Sequence, residues 1–118
     1  MFGVPQAVLS KLAGTSPLRS YRVADFATLA AEIDRDTVTI LDVRRDDEFQ
    51  ESHLPKAVNI PVHELSGRLN ELPAGEVWVH CASGYRASVA ASILDSHDRV
   101  AVLVDDEFTT AEKLGLTR

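Results

Sequence analysis

A chain of 118 residues, 45% hydrophobic and 25% charged, has the composition of one globular domain. A formal net charge of −6 without any run of Lys and Arg argues against a nucleic-acid-binding face, and no apolar run approaches the roughly 18 residues of a membrane span. A single cysteine excludes an intrachain disulfide framework and a thiolate-rich zinc site, and it fits a reducing compartment such as the cytoplasm.

The amino terminus, MFGVPQAVLSKLAG, lacks the basic start of a secretory signal. Residues 1–20 read as an extension: one short amphipathic helix between Pro5 and Gly14, then the linker GTSPLRS. From Tyr21 to Arg118 strand-like and helix-like segments alternate. YRV is a strand, and DFATLAAEI follows with Phe26, Leu29, Ala30 and Ile33 at helical spacing. TVTILDV is a β-branched strand, DDEFQES a short helix and AVNIP a brief strand ended by Pro61. HELSGRLNEL resumes helical spacing through Leu65, Leu69 and Leu72. EVWVHC is an apolar strand, and ASVAASILDSH is a helix with Val89, Ala90, Ile93 and Leu94 predicted on one face. RVAVLV is the last strand, and TTAEKLGL the last helix, with Gly115 as its stop.

Short apolar strands alternating with helices predict an α/β domain, a mostly parallel five-stranded sheet covered by helices on both faces. Sites in such sheets collect at the carboxyl ends of strands. Two of those ends carry polar chemistry here, LDVR at 41–44 and HCASGYR at 80–86.

The sequence Cys81-Ala82-Ser83-Gly84-Tyr85-Arg86 joins a strand to a helix. Backbone N–H groups converge in such a loop, and with the positive helix end they favour an anion at its centre, the cysteine thiolate included. Gly84 permits a tight backbone turn, and Arg86 adds a permanent positive charge with a planar fork of donors. The pattern predicts a reactive thiol at the mouth of a pocket, wrapped by a loop sized for a sulfur anion or a small oxyanion. A lone cysteine at a strand end is otherwise a small buried hydrophobe, so the spacing carries the functional reading. His53, His63, His80 and His97 show no ligand spacing, and no metal or cofactor is expected. Strand alternation turns His80 and Trp78 away from the Cys81 face, where both should pack.

Over residues 21–118 the chain resembles a single-domain rhodanese-like sulfurtransferase. LDVRRDDEFQESHLPKAVNIP is similar to the family's first signature, D-x-R followed by an acidic-aromatic helix and G-H-I-x-G-A-x-N-I-P. HCASGYRAS is similar to the active-site loop C-x-x-G-x-R-S/A. The resemblance implies that Cys81 is the nucleophile that carries a sulfane sulfur as a persulfide. It implies that the backbone of Ala82, Ser83, Gly84, Tyr85 and Arg86 binds that sulfur. Asp42 and Arg44 would brace the loop from the neighbouring strand end, with Glu48 and His53 tying the first motif together. The partners implied are a small-molecule or protein sulfur donor and a thiol acceptor.

Departures from the family pattern bear on the donor. Ala82 stands where thiosulfate-using members commonly have arginine, Ser52 and Lys56 replace two glycines, and Asp105-Asp106 replaces a glycine pair after the last strand. Two carboxylates near the loop would repel a dianion such as thiosulfate. Two other readings are open. A related branch of the fold hydrolyses phosphate esters with a C-x5-R loop, but only four residues separate Cys81 from Arg86 here. Rhodanese-like domains also occur as non-catalytic regulatory or interaction modules, alone or within larger enzymes.

Overall fold

Among the described residues five short strands pair side by side, every neighbour parallel, in the order β1-β5-β4-β2-β3. They are β1 (Arg22–Ala24), β2 (Val38–Asp42), β3 (Val58–Asn59), β4 (Glu76–His80) and β5 (Ala101–Val104). The helices are α1 (Phe26–Glu32), α2 (Asp46–Glu51), α3 (Tyr85–Ser96) and α4 (Phe108–Lys113). This computed structural model describes residues 21–118, and the expected extension at residues 1–20 lies outside the described residues.

Alternation along the strands divides the core into two layers. Val77, Val79 and Leu103 face one side, against Ala87, Ala90, Ala91 and Leu94 of α3 and against Leu65 and Leu72. Trp78, Val102 and Val104 face the other, against Phe26 and Leu29 of α1 and Phe108 and Ala111 of α4. Helix α1 begins at Asp25, whose carboxylate accepts the Thr28 N–H at 2.8 Å. Among the described residues no helix is long and apolar enough to cross a membrane.

Two sequence expectations are corrected. HELSGRLNEL is not an α-helix but two 3₁₀ turns, Val62–Gly67 and Leu69–Glu71. Gly67 weakens the middle of the segment, and Arg68 leaves the helical region at φ −129°. Leu65, within the first turn, and Leu72, just after the second, still reach the core. On α3 the buried face is Ala87, Ala90, Ala91 and Leu94, while Val89 is 40% exposed. The loop before α3 sets its rotation, and small side chains let its axis approach the sheet closely.

Candidate active site

Strand β4 is central, so the carboxyl ends of β2 and β5 flank the residue that follows it, Cys81. The chain then turns through Ser83 and Gly84 into α3, with Gly84 in the left-handed region at φ 108°. That turn aims two backbone donors at the sulfur. The Gly84 N–H lies 3.0 Å from Sγ and the Ala87 N–H 3.3 Å from it. Gly84 belongs to the expected cradle, whereas Ala87 lies one residue beyond it. Tyr85 instead points outward, 77% exposed.

Cys81 is only 1% exposed, so the expected thiol at a pocket mouth is corrected to one drawn beneath its loop. The donors pull Sγ inward, and Leu41, Val43, Val79 and Ala87 join it in one apolar cluster. Cavities of about 270 and 260 Å³ lie elsewhere, one beside Tyr21 and Arg99 and the other beside Lys56 and Leu116. The Ala82 carbonyl accepts the Phe108 N–H at 2.8 Å, which fastens the loop to the start of α4.

Arg86 does not point free into the loop. Its guanidinium forks onto Glu48 of α2, at 2.7 and 3.1 Å. Glu48 also accepts the Arg45 N–H at 2.9 Å, closing the start of α2. The Arg86 hydrogen bonds hold the Glu48 carboxyl well below its usual range, at about 2. A carboxyl depressed in the folded state stabilises above its ordinary value of 4.5, and that contribution is lost as pH falls toward about 2. Glu48→Gln is therefore expected to cost about 1 kcal/mol at neutral pH, after screening at this partly buried pair. Urea titrations should show the gap from wild type closing between pH 4.5 and about 2; a pH-independent gap would rule out the ion pair as its source.

Asp42 and Arg44 lie on the sheet face opposite Cys81. Arg44 Nε and Nη2 donate to the Asp42 carboxylate at 2.8–3.1 Å, and Nη2 also reaches the Ser52 carbonyl at 2.7 Å. The guanidinium stacks 3.8 Å from the centre of the Phe108 ring. Arg44 reaches the cysteine loop by way of Phe108, whose N–H is bound to the Ala82 carbonyl. Asn59, absent from the sequence-derived set, donates Nδ2 to the Asp42 and Arg44 carbonyls, both at 3.0 Å. Its place in the NIP run, one strand from Asp42, was the available signal.

His53 sits apart from the cysteine loop. Its ring stacks on Phe49 at 4.0 Å, Nδ1 lies 2.7 Å from the Phe49 carbonyl, and its backbone pairs with Arg118. His80 packs between Phe26 and Phe108 with ring centres at 5.2 and 5.6 Å, as alternation predicted. Burial depresses its pKa, against a smaller opposing pull from Asp42. Among the described residues no group of three or more His, Cys, Asp or Glu is placed to hold a metal.

A wholly parallel α/β sheet that presents one cysteine at the end of its central strand, its sulfur held by backbone N–H groups, defines a rhodanese-type domain. The family model described as Rhodanese-like domain matches residues 25–106, and the chain belongs to that family. It is 40% identical over 62 residues to the candidate sulfur carrier protein YrkF of Bacillus subtilis, covering 51% of this chain and 34% of that protein. It is 31% identical over 62 residues to a sulfurtransferase of Allochromatium vinosum, covering 52% of this chain and 58% of the relative. The chain thus spans less than two-thirds of either relative. Among solved structures it resembles a rhodanese-related protein of Thermoplasma volcanium, with TM-score 0.72 and 28% identity over 80% of this chain and 94% of the other. At the level of the family, these relatives associate the fold with sulfur transfer.

Proposed function

We propose that the protein is a sulfurtransferase in which Cys81 takes up a sulfane sulfur as a persulfide and passes it to a thiol or another thiophile. The observation that carries this reading is the pair of N–H groups from Gly84 and Ala87 on Cys81 Sγ, at the start of α3. Such donors stabilise negative charge on sulfur through both the attack and the persulfide that follows. The thiolate attacks the outer sulfur of the donor, the donor's S–S bond breaks, and the leaving group departs with that electron pair. The acceptor then attacks the persulfide's outer sulfur and returns the Cys81 thiolate. Cys81, the loop backbone of residues 82–86, the Ala87 N–H and the supports Asp42, Arg44 and Glu48 are the residues assigned to it. A reducing, cytoplasmic setting suits a free thiol of this kind.

Incubation with sulfane-sulfur donors, followed by intact-mass measurement, tests this directly. One added sulfur on Cys81, removable by cyanide as thiocyanate, is the expected result; an unmodified thiol with every donor would overturn it. The burial of Cys81 favours one other reading, a regulatory module that keeps the cysteine as core. In that case native-state alkylation would reach the thiol only on unfolding. Thiosulfate should be a poor donor, because Ala82 offers no charge-assisted bond to it. Ala82→Arg is expected to raise its rate constant about tenfold, the value of one such bond. No change would show that residue 82 does not face the donor.

A further inference from the structure

The two aspartates after β5 do not share a face. The Asp105 N–H donates to the Ala24 carbonyl at 2.9 Å, which extends the β5 ladder by one residue. Leu103 belongs to the Cys81 layer and Val104 to the opposite one, so alternation returns Asp105 to the Cys81 side. Asp106 goes the other way, and its carboxylate accepts the N–H groups of Phe26 at 3.1 Å and Glu107 at 2.8 Å.

Asp105 ends against the cysteine loop. A Cβ built on Gly84 would overlap Asp105 Oδ1, with Cγ at 3.5 Å. Gly84 is the residue whose N–H holds the sulfur at 3.0 Å. The carboxylate therefore abuts the residue whose N–H holds the reacting sulfur. Arg86, the loop's own cation, is spent on Glu48, and Asp105 has no salt bridge among the described residues. Among the described residues the uncompensated side-chain charge beside the loop is negative.

We propose that Asp105 is a specificity-determining residue that selects sulfur donors by charge, disfavouring dianionic thiosulfate against donors of lower charge. This rests on the sulfur-transfer reading. Attack of the Cys81 thiolate on thiosulfate breaks its S–S bond and releases sulfite with the bonding pair. The same attack on methanethiosulfonate releases methanesulfinate. Neither reaction needs an added oxidant or reductant, and the donors differ by one charge. Because Coulomb repulsion scales with donor charge, the effect of Asp105 on the dianion is the square of its effect on the monoanion.

The test measures second-order rates of Cys81 persulfide formation by intact mass with both donors, at low and high salt. The proteins are the wild type, Asp105→Asn, Asp105→Ser, and Asp98→Asn, which removes one charge ahead of β5, at the opposite end of that strand. Both Asp105 variants are expected to react about tenfold faster with thiosulfate and about threefold faster with methanethiosulfonate, the gap narrowing in high salt. Asp98→Asn should leave the donor ratio unchanged. Equal gains on both donors, no gain on either, or the same shift in Asp98→Asn would overturn the assignment of Asp105, while persulfide formation in those runs would leave the sulfur-transfer reading standing. If Cys81 gains sulfur in none of the proteins, that reading falls and takes this one with it.

Discussion

Cys81→Ala is expected to abolish persulfide formation and to lower sulfur transfer on the order of 10³-fold or more, because the covalent route has no second nucleophile. Cys81 is the only cysteine in the chain, so no neighbouring thiol can take over. The fold should survive. Alanine keeps the apolar contacts of Cβ with the cluster around Val79 and Ala87, and loses only the sulfur that the Gly84 and Ala87 N–H groups held. Leaving those donors without their acceptor should cost about 1–3 kcal/mol. Circular dichroism and urea unfolding check the fold, and thiocyanate release in the presence of cyanide checks the chemistry. Turnover at wild-type rates in the alanine variant would show that the measured sulfur release bypasses Cys81. Arylphosphate hydrolysis that disappeared with Cys81 would point to the phosphatase branch instead.

Asp42→Asn should be the most damaging substitution for stability. Asp42 is fully buried and Arg44 is 5% exposed, so removing the carboxylate strands a guanidinium out of water. Breaking a buried pair from one side costs about 3–5 kcal/mol, which lowers Tm by more than about 10 °C in a domain of this size. The loss should spread to the cysteine loop, since Arg44 lies over Phe108 and the Phe108 N–H holds the Ala82 carbonyl. Urea unfolding followed by Trp78 fluorescence gives the stability, and the persulfide rate gives the loop. The double variant Asp42→Ala/Arg44→Met should recover much of the stability, because it removes both charges together. A cost below about 1 kcal/mol for Asp42→Asn would show that Arg44 finds sufficient partners in the Ser52 carbonyl and solvent.

The sequence by itself determined the elements and the place of the chemistry. Runs such as VTILD and AVLV, alternating with helical segments, fit strands of a parallel sheet covered on both faces, and C-x-x-G-x-R between a strand and a helix needs only local geometry to bring N–H groups to a sulfur. The D-x-R spacing likewise set Asp42 and Arg44 on one face, two residues apart, where they pair. Helical spacing in HELSGRLNEL misled, because 3₁₀ turns and an α-helix can bury the same leucines. On α3 the hydrophobic residues suggested a face that the loop then rotated away, toward Ala87 and Ala91.

Tertiary structure decided what each charge does. Arg86 and Glu48 are 38 residues apart, and no local rule says that the loop's arginine will be neutralised by α2. Asp105 and Asp106 look equivalent in the chain, yet their opposite parity just after β5 sends one to Gly84 of the cysteine loop and the other to the start of α1. The depth of Cys81 was hidden for the same reason. Local periodicity is set by steric and hydrophobic effects acting over a few residues, whereas burial and charge pairing depend on strand order. Here that order puts β4 between β2 and β5, and so closes two strand ends around one cysteine.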